Sequence, residues 1–175
     1  MSKRIYITES QLKCIMKEMM NPEKEFTVYV MCGIPGSGKS TWASNNHPDL
    51  PIVSRDIIRA ELGYTSGVDE KAVLTREQEE EVTVEENRII ANYCKNRHSF
   101  IIDDTNSHPK FRKILLDTLR SYGAHIVGVN MDTPLDMCIK RRNGQIPPEA
   151  IERMYGRRVP FEDSDVDELV SAKGY

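Results

Sequence analysis

A chain of 175 residues is one domain's worth and long enough to bury a core. Its 39% hydrophobic and 29% charged residues are ordinary for a globular protein, and no apolar run approaches the length of a membrane span. The net charge of −3 argues against a general nucleic-acid-coating protein, and four scattered cysteines without a C-x-x-C pair point to reduced thiols instead of a disulfide framework or zinc site.

In chain order, "TESQLKCIMKEMM" opens with Thr8 and Gln11 at capping-box spacing and sets Leu12, Ile15, Met16 and Met19 on one stripe, which predicts an appended amphipathic helix. It is expected to dock on the domain's own surface, with self-association or a partner contact as alternatives. The basic residues before it have no apolar signal core behind them, so a cytoplasmic location is expected. "NPEKE" ends the helix and "FTVYVMC" reads as the first strand. "KSTWASNN" is a helix, "LPIVS" a short strand, "RDIIRAEL" a turn or two of helix, and the polar run 75–97 a long helix. "SFIIDD" is the third strand. "HPKFRKILLDTLRSYG" follows as a helix closed by Gly123, "AHIVGVNMD" as the fourth strand, and "TPLDMCIKRR" and "PEAIERMYGRR" as helices around the turn "NGQIP". Strands alternating with helices predict an α/β fold: a P-loop NTPase-type parallel sheet sandwiched by helices, with ligands at the carboxyl ends of the strands. The expected division is a helical extension over 1–25, a domain over 26–160 and an acidic tail over 161–175.

"VMCGIPGSGKSTW" fits G-x-x-x-x-G-K-[ST] between a strand and a helix, the pattern of a phosphate-cradling loop. Gly33, Pro35, Gly36, Ser37 and Gly38 form the cradle. Lys39 reaches the β/γ-phosphates, Ser40 ligates Mg²⁺, and Thr41 touches the α-phosphate. ATP and Mg²⁺ are the implied cofactors. Two aspartates close the strand "SFIIDD", and Asp103 is the candidate second metal residue beside Ser40. Asp104, Thr105 and Asn106 share that strand edge and are candidate acceptor-binding residues.

Asp56 and Arg59 lie one helical turn apart after the second strand, with Arg55 next to them as a further candidate acceptor-binding residue. A phosphoryl acceptor needs a carboxylate to take its hydroxyl proton and an arginine to hold an anion, and this pair supplies both. Lys140, Arg141 and Arg142 end a helix before a turn. An arginine there stabilises charge on the transferring group; spacing leaves open which of Arg141 and Arg142 reaches inward, and one is expected to face solvent. Residues 90–160 carry 12 Lys+Arg against 7 Asp+Glu, a local basic stretch in an acidic protein, which suggests a local anion site.

The ordered set "GIPGSGKSTW", "VSRDIIR", "IIDDTN", "CIKRRNG" and "IPPEAIERMY" resembles the kinase domain of polynucleotide 5′-hydroxyl kinases, phage and bacterial end-repair enzymes. The resemblance runs from about residue 26 to residue 160. It implies transfer of the ATP γ-phosphate to single-stranded 5′-OH ends of DNA or RNA in a bacterial or phage-infected cell. It also implies Asp56 as general base, Arg59 on the acceptor's 3′-phosphate, Asp104 and Thr105 in the acceptor pocket, and Arg141 or Arg142 as lid arginine. Asp165 and Asp167 form D-x-D without a following Gly-Thr, so no 3′-phosphatase is expected. Competing readings are a kinase of a small metabolite or nucleotide on the same scaffold, a toxin-type kinase, and a nucleotide-dependent switch. Against the switch, the chain has no N-K-x-D motif, and Asp56 and Arg59 would have no task in it.

Overall fold

Period-two alternation in β1 (Thr27–Cys32, TVYVMC) separates two apolar faces. Val28, Val30 and Cys32 point to one core and Met31 to the other, with Tyr29 packed beside it. The strands paired with β1 repeat this division. β3 (Phe100–Ile102) gives Phe100 and Ile102 to the first core and Ile101 to the second. β4 (His125–Met131) gives Ile126 to the first and Val127, Val129 and Met131 to the second. With both faces covered, these strands read as nearly continuous apolar runs, as buried parallel strands do.

The computed structural model describes residues 25–64 and 74–173. The expected N-terminal helix lies outside them. The sheet order is β2-β3-β1-β4-β5, every neighbouring pair parallel, with β2 at Ile52–Val53 and β5 at Glu168–Ala172. Val28 lies opposite Phe100 on one side and Ile126 on the other.

α1 (Lys39–Asn46) covers the second core through Ala43 and Trp42. The first core is covered by α2 (Arg55–Glu61) through Ile58, α3 (Arg76–Lys95) through Val82, Ile90 and Cys94, and α4 (Pro109–Ser121) through Leu116 and Leu119. α3 starts at a capping box in which Thr75 and Gln78 satisfy each other's amides. α5 (Leu135–Arg141) and α6 (Pro148–Arg157) build a third apolar cluster, joining Cys138 and Ile151 to Ile34 of the loop after β1. The predicted α/β architecture and the helices on both sheet faces are as observed. No helix among the described residues is long and apolar enough to cross a membrane.

The C-terminal segment differs from expectation. The stretch read as an acidic tail outside the domain forms a 3₁₀ turn at Asp163–Asp165 and then β5, the edge strand beside β4. Its acids bind locally: Asp167 accepts from the Ile126 N–H at 2.8 Å, and Asp165 accepts from Arg112 at 3.2 Å. Phe161 and Val166 fill the gap left by Gly128 on β4, where a Cβ would stand 3.1 Å from each. A five-residue edge strand flanked by acids carries too little apolar pattern to be told from a solvated tail.

Candidate active site

β1 delivers the chain at Cys32 into the loop 33–38, and α1 begins at Lys39. The loop is held from three sides. The Gly33 N–H donates to the Thr105 carbonyl at 3.1 Å, Thr133 Oγ1 donates to the Ser37 carbonyl at 2.7 Å, and Arg141 Nη1 donates to the Gly36 carbonyl at 3.1 Å. Gly36 and Gly38 have φ of 81° and 93°, the left-handed region glycine tolerates. Lys39 Nζ donates back to the Gly33 and Ile34 carbonyls at 3.1 and 3.4 Å. Burial lowers its pKa, opposed by the charges of Asp103 and Asp104. A half-buried cation wrapped by a glycine loop at a helix N-terminus fits the phosphates of a nucleotide.

Asp103 leaves β3 with its N–H bonded to the Val53 carbonyl at 2.8 Å. Ser40 Oγ donates to its Oδ2 at 2.6 Å, while its buried Oδ1 has no hydrogen-bond partner among the described residues. A hydroxyl and a carboxylate in contact, with one buried carboxylate oxygen to spare, fit a hard divalent cation such as Mg²⁺.

Asp104 takes a positioning task. Its Oδ1 accepts from the backbone N–H of Arg55 at 3.1 Å, fastening the start of α2 to the end of β3. Burial raises its pKa to about 8, helped by the facing charge of Glu86. Its buried Oδ2 has no hydrogen-bond partner among the described residues.

On α2, Asp56 is open to solvent, its side chain 88% exposed, and Arg59 Nη1 donates to its Oδ1 at 2.7 Å. Arg59 also grips Glu79 of α3 through Nε and Nη2, both at 3.1 Å. These bonds pull the Glu79 carboxyl below its usual pKa. Arg55 donates to Glu79 and Glu86 at 2.7 Å each and to Thr83 at 3.1 Å. The acidic helix α3 therefore closes one wall of the site and binds both arginines expected to meet an acceptor.

Two expectations need correction. Asn106 was expected on the acceptor, but its amide nitrogen donates to the Met31 carbonyl at 2.9 Å and its φ is 42°, so it joins the loop after β3 to β1. Thr105 does the same through its backbone carbonyl, while its side chain stays exposed. One of Arg141 and Arg142 was expected to face solvent. Instead both are half-buried against the loop: Arg141 bonds the Gly36 carbonyl, and the Arg142 Cγ lies 3.2 Å from where a Gly36 Cβ would stand. Arg142 also donates to Gln145 at 3.0 Å. The short helix α5 ends so close to the loop that consecutive residues both reach it.

The family model AAA_33, an AAA domain, matches residues 28–159. The chain belongs to the AAA domain family. The match contains every expected site residue from Gly33 to Arg142 and stops before β5. Within the curated proteins, the chain is 27% identical over 136 residues to the L-seryl-tRNA(Sec) kinase of Methanococcus maripaludis, covering 72% of this chain and 50% of that protein. The chain thus spans about half the length of the curated relative it matches. Among solved structures, it is 26% identical to a chain of the Pnkp1/Rnl/Hen1 complex, with a TM-score of 0.60 over 71% of this chain and 42% of that one. The Mycobacterium tuberculosis APS kinase CysC, solved with AMPPNP and APS, shares the fold at 16% identity, with a TM-score of 0.56 over 84% of this chain and 88% of that one. The five-stranded parallel sheet of this AAA domain is the P-loop kinase fold.

Sequence reasoning missed Glu79, Glu86 and Thr133. The two acids stood in an acidic run that reads as a solvated helix face. Their spacing of seven residues, two turns of one helix, was the available signal. Thr133 carried none.

Proposed function

We propose that this chain transfers the γ-phosphoryl group of ATP to the 5′-hydroxyl end of a polynucleotide. The observation that carries the reading is Asp56, exposed on the first turn of α2 and held at 2.7 Å by Arg59, on the same strand-end rim as the Ser40–Asp103 pair. The resemblance of the ordered motifs and the 26% identity to a chain of the Pnkp1/Rnl/Hen1 complex support the polynucleotide as acceptor.

In this reading Asp56 takes the proton of the acceptor hydroxyl as its oxygen bonds to the γ-phosphorus and the bond to the β-phosphate oxygen breaks. Arg59 orients Asp56 and reaches the acceptor's neighbouring phosphate. Lys39, Arg141 and Arg142 gather positive charge around the transferring group. Mg²⁺, held by Ser40 and Asp103, would supply charge neutralisation of the phosphates.

A second reading is favoured by one observation. Glu79 already binds both Arg55 and Arg59, which suits an acceptor hydroxyl with no phosphate beside it, on a small metabolite or on a group esterified to tRNA. The curated relative is named as a seryl-tRNA kinase.

The test is transfer of labelled γ-phosphate with Mg²⁺ to 5′-OH DNA and RNA oligonucleotides, run beside Asp56→Asn. Labelling that falls about 10²-fold in the variant is expected. ATP turnover without oligonucleotide labelling moves the assignment to the second reading.

A further inference from the structure

Phe111 and Ile114 stand one helical turn apart on the first two turns of α4, 68% and 60% exposed. Arg112 beside them turns into the protein, so they lie off the face that α4 buries. One exposed apolar residue needs no explanation, but this pair comes with a set of neighbours. The His108 ring lies 5.1 Å from the Phe111 ring, tilted 50° to it. Lys110 and Lys113 are exposed on the same turns, and the first acid of the helix is Asp117. Arg157 is a further exposed cation, two residues before Val159, whose N–H donates to the Ser107 carbonyl at 3.1 Å just ahead of α4.

This surface is tied to the site through the loop 103–108. At one end of the loop, Asp104 Oδ1 accepts from the Arg55 N–H at 3.1 Å and so fastens the first turn of α2, which carries Asp56. Toward the other end, Asn106 bonds the Met31 carbonyl, and Arg112 Nη1 reaches back to the Asn106 carbonyl at 3.3 Å. The first turns of α2 and α4 therefore flank one short loop. From Asp104 to His108 the chain spans at most ~14 Å, and Phe111 is one helical turn, ~5 Å, further on. A stacked single strand, at ~3.4 Å per nucleotide, covers that reach in about six nucleotides. The two directions away from Asp56 differ in charge. α3 carries six glutamates against three cations, whereas the first two turns of α4 carry cations alone. A polyanion that starts at Asp56 is repelled along α3 and drawn over α4. There Phe111 presents an aromatic face on which any base can stack.

We propose that the first two turns of α4 bind the acceptor polynucleotide beyond its reacting 5′ end, with Phe111 stacking on a base and Lys110 and Arg157 meeting the flanking phosphates. This rests on the polynucleotide reading above and adds to it the path of the strand past the first phosphate. Stacking makes the contact indifferent to base sequence, and the acidic α3 sets the direction of the path.

The experiment measures steady-state transfer from ATP with Mg²⁺ by the full chain to two acceptors. One is a nucleoside 3′-monophosphate; the other is a 5′-OH oligonucleotide of about twelve nucleotides, long enough to cross α4. Wild type, Phe111→Ala and Phe111→Trp are compared. In Phe111→Ala the oligonucleotide KM is expected to rise about tenfold with kcat unchanged. The KM of the nucleoside 3′-monophosphate should not move, and Phe111→Trp should keep the wild-type oligonucleotide KM. An unchanged oligonucleotide KM in Phe111→Ala overturns the proposal; a changed molecular mass by light scattering beside that result assigns the face to contact between copies of the chain. An equal rise for both acceptors also overturns it, since a residue that only supports the fold affects both. A wild type with the same KM for both acceptors overturns the strand path and leaves the polynucleotide reading standing. A wild type that labels neither acceptor overturns that reading and this proposal with it.

Discussion

Gly36 shows how narrowly the loop is built. A Cβ there would stand 2.6 Å from the Cys138 carbonyl oxygen and 3.1 Å from its Cα, both backbone atoms of α5. The residue also holds φ at 81°, where a side chain costs about 1–2 kcal/mol. Gly36→Ala must therefore displace either the loop or the helix that carries Arg141. Its nucleotide affinity is expected to fall at least tenfold, measured with a fluorescent ATP analogue. Gly144 is the control: φ is 80°, yet nothing among the described residues lies within 4 Å of its would-be Cβ. Gly144→Ala carries only the backbone cost, so equal effects of the two substitutions on affinity would refute the steric account. The loop's glycines and Lys39 were legible in sequence because the cradle is one contiguous stretch with a fixed spacing. Thr133 was not, because its bond to the Ser37 carbonyl spans 96 residues.

At the scale of elements, α4 is the fastener between the sheet and the C-terminal segment. Its Arg112 side chain is only 4% exposed and donates to the carbonyls of Asn106, Val159 and Pro160 and to Asp165, with its guanidinium carbon 4.4 Å from the centre of the Phe161 ring. Arg112→Met removes the donors and leaves buried acceptors behind, so a loss of about 3 kcal/mol is expected. Urea unfolding should show it as a lower midpoint with an unchanged slope. A loss below about 1 kcal/mol would mean that water satisfies those carbonyls as well as the arginine does. The apolar stripe of α4 was readable from its periodicity. Arg112 on it counted only as one more member of a basic stretch, since its partners lie up to 53 residues away. β5 escaped for a related reason: edge strands need only half the apolar pattern of central ones.

Across the whole molecule, the site is a meeting of opposite charges brought from four segments. Asp104 carries a pH dependence that stability should report. Its folded pKa of about 8 lies above the ordinary 3.8, through burial first and then the charge of Glu86. The folded state therefore binds this proton more tightly than the unfolded chain does, and the resulting stability is full below about pH 4 and lost as pH rises through about 8. Asp104→Asn keeps an acceptor for the Arg55 N–H and an N–H₂ group toward Glu86, imitating the protonated acid. The variant should match wild type in melting temperature near pH 4 and exceed it increasingly toward pH 8. Parallel curves over that range would show that Asp104 ionises normally.

The sequence alone determined the described helices, the first four strands, the parallel sheet, the phosphate loop and the Asp56–Arg59 pair. Each of these is written in short-range spacing: period two or 3.6, a strand followed by glycines, a carboxylate and an arginine one turn apart. Only the tertiary structure decided that α3 binds Arg55 and Arg59 through Glu79, that both Arg141 and Arg142 reach the loop, that Asn106 serves β1, and that the acidic C-terminal stretch is a strand. These depend on which charged faces are brought together by packing the two cores. A charged residue looks the same in sequence whether solvent or an opposite charge is waiting for it.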